Sequence, residues 1–236
     1  MLHNNLLAFI ITLALSVIWL RFVGYATVKH WIPSTISRKV IHIGTGPLFV
    51  ACWVLFDASV YSRYIAAIVP LISTVQFFLA GIGKLKDRGS IESMSRSGDY
   101  RELLRGPFLY GIAFILITLV FWLNSPVGVV ALMTLCGGDG LADIFGKKCG
   151  RKVLPWSAKK TWAGSLAMFA GGYGLSALIV GFLALTGNLS INFTIFLAKL
   201  AGVVLVSTIV ESVSRSDVDN ITVPVAAIVT GLLLNI

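Results

Sequence analysis

Asp139 and Asp143 stand four residues apart at the end of an otherwise apolar run, in the stretch Cys136-Gly137-Gly138-Asp139-Gly140-Leu141-Ala142-Asp143-Ile144-Phe145-Gly146. In a helix, positions i and i+4 share a face, so both carboxylates would point the same way. Ionisable groups in a membrane span are costly and normally face an interior site or a water-filled cavity. Six basic residues follow: Lys147, Lys148, Arg151, Lys152, Lys159 and Lys160. Lys159 and Lys160 immediately precede another apolar run, and the free N–H groups at a helix start favour an anion. Gly137, Gly138 and Gly140 let the backbone approach a ligand closely. Carboxylates suit a hard divalent cation and ammonium groups suit phosphate oxygens, so residues 136–165 read as a metal–nucleotide site. No GxxxxGK[ST], DDxxD or HExxH occurs, which argues against a P-loop enzyme, an aspartate-rich prenyltransferase and a zinc protease.

The elements that must position these residues follow from composition. The chain is 57% hydrophobic and 12% charged, against about 25% charged in soluble domains. This is the composition of an all-α integral membrane protein, read as one multi-pass domain over 1–236. Eight segments are candidate spans: 4–23, 39–56, 61–82, 106–123, 126–146, 162–186, 192–212 and 221–236. The first is read as a retained span, since no cleavage site follows a basic leader. The eighth is short, and the second and fifth carry polar residues at one end. Cys52, Cys136 and Cys149 have no paired spacing, so neither a disulfide framework nor a zinc site is expected.

Seventeen of the 19 basic residues fall at the first, third, fifth and seventh connections. Arg21, Lys29, Arg38 and Lys39 belong to the first, and Lys84, Lys86, Arg88, Arg96, Arg101 and Arg105 to the third. The net charge of +9 is therefore a topology signal, not a nucleic-acid footprint. Positive connections stay in the cytoplasm, which places both termini outside and every charged motif on the inner side. Arg38 and His42 share a face at the start of the second span. The tail of the stretch Ser93 to Pro107 suggests a short interfacial amphipathic helix, with Pro107 opening the fourth span. Glu211 ends the seventh span, and Asp217-Val218-Asp219-Asn220 leads into the eighth.

These residues carry a family resemblance. Asp139-x-x-Ala142-Asp143-x-x-Gly146-x-x-x-Gly150, followed by Lys160-Thr161-x-x-Gly164-Ser165, resembles the nucleotide-binding signature of the polyprenol kinases, which include phytol, farnesol and dolichol kinases and are related in fold to CDP-diacylglycerol synthases. Arg38-Lys39-x-x-His42-x-Gly44 and the Arg-Glu-Leu-Leu-Arg-Gly-Pro of the third connection resemble the phytol kinase branch. Asp219-Asn220-x-Thr222-x-Pro224 is similar to the closing motif. Ala163 stands where dolichol kinases often carry an acidic residue. The resemblance covers most of the chain from Arg38 onward and leaves the first span unexplained.

The resemblance implies transfer of phosphate from CTP or UTP to a long-chain isoprenoid alcohol such as phytol, geranylgeraniol or farnesol. The alcohol lies in the bilayer and the donor in water, so the site is expected at the cytoplasmic membrane interface. Asp139 and Asp143 would hold Mg²⁺. Lys152, Lys159 and Lys160 would contact phosphate oxygens, with Thr161 and Ser165 as hydrogen-bond donors and Gly138, Gly140, Gly146, Gly150 and Gly164 around the nucleotide. Arg38, His42, Asp219 and Asn220 would close the site. Either His42 or a carboxylate is the base. Two rival readings stand beside this one. A cytidylyltransferase forming a CDP-lipid would share the fold and the metal. A small transporter would be expected to show inverted repeats, and none is visible.

The topology makes a first prediction. In a background lacking the native cysteines, cysteines placed at Ser97 and Ser157 should be labelled from the same side of the membrane, and one at Asn188 from the other. Labelling of positions 97 and 157 from opposite sides would defeat a shared-face site.

Overall fold

The computed structural model describes residues 4–86, 88–95, 97–157, 159–215 and 218–236. Arg96 and Asp217 of the charged connections lie outside the described residues. Within them the protein is all-helical, apart from one bridging pair between Val153 and Thr161. Ten α-helices run α1 Asn5–Val28, α2 Ser34–Ala51, α3 Ser62–Gly81, α4 Arg88–Met94, α5 Gly106–Val120, α6 Pro126–Met133, α7 Gly140–Cys149, α8 Trp162–Leu185, α9 Phe193–Val213 and α10 Asp219–Leu233. Six helical stretches are long and apolar enough to cross a membrane: Asn5–Val28, Ser62–Gly81, Tyr100–Val120, Pro126–Cys149, Trp162–Leu185 and Phe193–Val213. The other two expected spans are present as helices but weaker. Arg38, Lys39 and His42 dilute the apolar character of α2. The 15 residues of α10 extend only about 22 Å, against about 30 Å of hydrocarbon. Leu116, Leu166, Leu178 and Leu205 project outward from these helices, as side chains meeting lipid do. This is a multi-pass membrane protein.

The chain forms two compact units, Met1–Leu119 and Val120–Ile236. In the first, α1 packs against α2, α3 and α4. Its core contains Val23, Ile41, Phe77, Ala80, Met94 and Leu103. Gly44 lets α1 press close to α2. A Cβ there would lie 2.2 Å from the Trp19 ring, whose Nε1 donates to the Ile41 carbonyl at 3.3 Å. The Ser37 hydroxyl ties α2 to α4 through the Ser93 carbonyl at 2.8 Å. The expected interfacial helix is the 3₁₀ turn Tyr100–Leu104, started by the Asp99 side chain and anchored by buried Leu103. Glu102 organises its approach by accepting from the Ser95 and Ser97 hydroxyls at 2.8 and 3.0 Å. Asp57 plays the corresponding part between α2 and α3. Hydrogen bonds from Ser62, then Ser59 and Asn5, hold its carboxyl well below the usual carboxylate range.

In the second unit, α6 and α7 form one continuous run joined by a π-helical segment, Thr134–Asp139. The most apolar window of this run is 83% buried, against 22–39% in the other five spans. It is the central helix, with α8 and α10 packed on α6 and α8, α9 and α10 packed on the π segment. Paired glycines permit the closest crossing. A Cβ on Gly171 of α8 would stand 2.4 Å from the Gly137 carbonyl oxygen. Across the short α9–α10 turn, the Ser214 and Thr222 hydroxyls meet at 2.8 Å.

The crossing yields a paired prediction on one helix. Gly171→Ala must force backbone apart and should cost about 1–3 kcal/mol. Gly174→Ala, whose Cβ would meet nothing within 4 Å, should be neutral or stabilising by about 0.5–1 kcal/mol. Melting temperatures of the two variants in detergent, each against wild type, test this. Equal shifts would remove the crossing argument.

Candidate active site

The central helix delivers Asp139 at the end of its π segment. There the chain is buried on all sides, and Asp139 is only 2% exposed. Helix α9 delivers Glu211 in its last turn, and α10 delivers Asp219 as its first residue. The short turn between α9 and α10 folds these two back to the same place. Oxygens of Asp139, Glu211 and Asp219 all lie within 4.8 Å of one another, and all three residues are buried. Asn220 is buried beside them, its amide 3.4 Å from Asp219 Oδ1.

Lys160 enters this acidic cluster from a folded loop. The segment between α7 and α8 turns back on itself as a small hairpin. Leu154 N–H donates to the Lys160 carbonyl at 2.9 Å, and Trp162 N–H to the Lys152 carbonyl at 3.2 Å. The Ser157 hydroxyl accepts from Lys160 N–H at 3.1 Å. Leu154 is buried under the hairpin. The Trp156 indole N–H donates to the Ser212 hydroxyl at 3.1 Å, which pins the loop one residue from Glu211. Lys160 Nζ then pairs with Glu211 and lies 3.5 Å from Asp219 Oδ2. Burial alone would lower the pKa of the ammonium, but Glu211, then Asp219 and Asp139, outweigh this and hold it above the ordinary lysine range. Three carboxylates surround one ammonium, so carboxylate oxygens are in excess over the cation that pairs with them. That donor set fits a hard divalent cation, which takes oxygen ligands.

The other residues singled out in the sequence take different places. Asp143 is about a quarter exposed and pairs with Lys147 at 2.8 Å, i to i+4 along α7; it is not part of the three-carboxylate group. Lys152 and Lys159 are exposed on the hairpin. Thr161 is the N-cap of α8, its hydroxyl accepting from Gly164 N–H at 3.1 Å. Gly146, Gly150 and Gly164 crowd around it. A Cβ on Gly150 would lie 2.6 Å from Thr161 Oγ1, and one on Gly164 3.1 Å from the Ala142 carbonyl oxygen. Gly138 faces Met168, with 2.8 Å between a built Cβ and the sulfur. Gly140 is buried at the start of α7. Close packing within the chain therefore favours glycine at Gly138, Gly150 and Gly164. The Ser165 hydroxyl is buried with no hydrogen-bond partner among the described residues. Arg38 and His42 belong to the unit Met1–Leu119. Both are buried, and the His42 ring stacks on Tyr110 at 4.1 Å between centroids.

Curated relatives cover most of the chain. It is 41% identical over 210 residues to the Triticum aestivum protein named "Probable phytol kinase, chloroplastic", which spans 88% of this chain and 70% of the relative. It is 38% identical over 209 residues to "Phytol kinase 1, chloroplastic" of Arabidopsis thaliana, covering 88% of this chain and 69% of that one. An Oryza sativa relative, "Probable phytol kinase 2, chloroplastic", is 33% identical over 226 residues, or 95% of this chain and 74% of its own. The chain belongs to the phytol kinase family. No protein-family model and no solved structure matches it.

Membership in the phytol kinase family makes the chain an enzyme and agrees with the resemblance carried by the sequence motifs. It also throws Glu211 into relief, since the sequence motifs leave that residue out. The signal for it was a carboxylate in the last turn of an apolar span, on the same side as the aspartates. Geometry now predicts an order of sensitivity. Asp139→Asn and Glu211→Gln should each reduce kcat/KM by at least about 100-fold, the loss expected when an electrostatic stabiliser of the transition state is removed. Asp143→Asn should cost about 10-fold or less, since its partner is a half-exposed lysine. Steady-state rates over a Mg²⁺ series, on protein confirmed as membrane-inserted, check this. A D143N loss as large as that of D139N would return Asp143 to the centre of the site.

Proposed function

We propose that the protein phosphorylates a long-chain isoprenoid alcohol (phytol, geranylgeraniol or farnesol), using CTP or UTP as donor. The buried Asp139–Glu211–Asp219 group with Lys160 carries this reading, in a chain whose relatives are named phytol kinases. Phosphoryl transfer needs little covalent help from the protein; it needs positioning and neutralised charge. Asp139, Glu211 and Asp219 would hold Mg²⁺, with Asp143 one turn further along. The ion would neutralise charge on the donor phosphates. Lys160 would then exchange a carboxylate for a phosphate oxygen. Exposed Lys152 and Lys159 would draw the nucleotide onto the hairpin. The alcohol oxygen bonds to the terminal phosphorus as its proton passes to a carboxylate base or to water, the bond to the bridging oxygen breaks, and the nucleoside diphosphate leaves. The positive connections favour a site facing the cytoplasm.

The test measures product and donor together. Purified protein with Mg²⁺ and a C15–C20 alcohol should release CDP or UDP and form a monophosphate. Pyrophosphate release would indicate a cytidylyltransferase instead. Lys160→Ala removes a charge-assisted contact worth about 1.5–3 kcal/mol, so kcat/KM for the nucleotide should fall roughly 10- to 150-fold. Lys147→Ala should cost much less. Equal small losses would reduce the loop to a generic basic patch, and preference for ATP would refute the proposed donor.

A further inference from the structure

The unit Met1–Leu119 contains a cavity that the phosphate chemistry does not use. Helices α1 to α5 all contribute to its walls. Phe49, Val69, Pro70, Phe77 and Phe114 make most of it apolar. On α2 the lining runs from Ile41 to Phe49, and on α3 from Val69 to Phe77. Each stretch climbs eight residues, about 12 Å of helix. The cavity measures about 50 Å³, several times the roughly 10–15 Å³ that one water needs. A mostly apolar slot running this far along two helices suits a hydrocarbon chain.

Its polar lining consists of Ser16, His42, Thr45, Ser73, Thr74 and Tyr110, with Thr45 one turn beyond His42 on α2. The Thr74 and Tyr110 hydroxyls are met, donating to the Pro70 carbonyl at 2.6 Å and the His42 carbonyl at 3.1 Å. Elsewhere in this unit, helical hydroxyls satisfy themselves on the preceding turn. Thr12, Thr27 and Thr118 donate to carbonyls four residues back at 2.7, 2.8 and 2.7 Å. Ser16 Oγ and Thr45 Oγ1 do not; both are buried with no hydrogen-bond partner among the described residues. A buried hydroxyl left unmet is costly. Two of them facing an apolar slot mark where one polar atom of an otherwise apolar ligand would sit.

We infer that this slot binds the hydroxyl end of one isoprenoid alcohol molecule, its hydroxyl at Ser16 and Thr45 beside His42 and its first isoprene units against Phe49 and Phe114. The identity of the ligand rests on the proposed function; the slot and its two unmet hydroxyls do not. A ligand in the bilayer reaches such a site without crossing water, and burying its methylenes drives binding.

A geranylgeraniol analogue with a diazirine on the isoprene unit next to the hydroxyl tests this without nucleotide or turnover. Illuminated with the full-length protein in lipid nanodiscs, it should modify Phe49, Val69 or Phe114, and excess geranylgeraniol should abolish the adduct. Ser16→Leu should cut the competed labelling about 10-fold at an unchanged melting temperature. Thr45→Val should weaken displacement by the alcohol about 2- to 10-fold and leave displacement by the hydroxyl-free hydrocarbon unchanged. Adducts confined to outward-facing Ile72 and Leu116, or insensitive to competitor, would overturn the assignment even if the substituted proteins proved unstable. Competed labelling inside the slot without phosphoryl transfer to the alcohol would keep the slot and refute only the kinase reading.

Discussion

Lys160 is the charge on which the second unit depends. Asp139, Glu211 and Asp219 come from three different helices and are packed where water is scarce. Mutual repulsion in low dielectric would drive these helix ends apart or protonate the carboxylates. One ammonium, inserted from a loop, holds Glu211 and Asp219 and acts on Asp139 through space. Such a buried cluster is weak evidence for stability, because desolvation consumes most of the Coulombic gain. Its chemistry offers a better reason for keeping it: a surplus of carboxylate oxygens is a donor set that suits a hard divalent cation.

That requirement explains the loop. A free lysine side chain would stay in water, where its ammonium is well solvated. The hairpin of Lys152–Leu154 against Lys160–Trp162, the buried Leu154 and the Trp156–Ser212 hydrogen bond deliver it instead. Thr161 closes the same device by capping α8 directly after Lys160. Gly150 at the end of α7 and Gly164 in the first turn of α8 let this loop end lie close to both helices.

Much of this was legible in the sequence, and the exceptions have physical causes. Spans are set by runs of apolar residues, so the long helices could be read directly. The α2 and α10 segments were marginal for the reasons that keep them marginal in the structure: charge in one, length in the other. Asp139 and Lys160 stood out because ionisable groups beside apolar helices need a reason. Glu211 was noticed as a residue but not joined to the site, since 72 residues separate it from Asp139 and only the α9–α10 turn brings them together. Helical spacing couples Asp143 to Asp139, and the helix between them is regular, but Asp143 pairs along α7 with Lys147 while Asp139 meets carboxylates brought in by α9 and α10. The π segment before Asp139 is not announced by local sequence, because a π turn differs from an α turn only in which carbonyl each amide reaches.

The π segment has a consequence for how this family can change. Widening one turn of the central helix gives that helix a residue more than a regular α-helix would use to cover the same path. Every residue beyond it is rotated by about 100° relative to an uninterrupted helix. Loss of a single residue between Thr134 and Asp139 would restore regular winding and swing the Asp143 and Gly146 faces of α7 around the axis, while leaving composition and hydropathy almost untouched. Length across these six positions is thus under tighter constraint than the identity of most side chains there. Among relatives, gaps should be tolerated in the connections and excluded from this stretch.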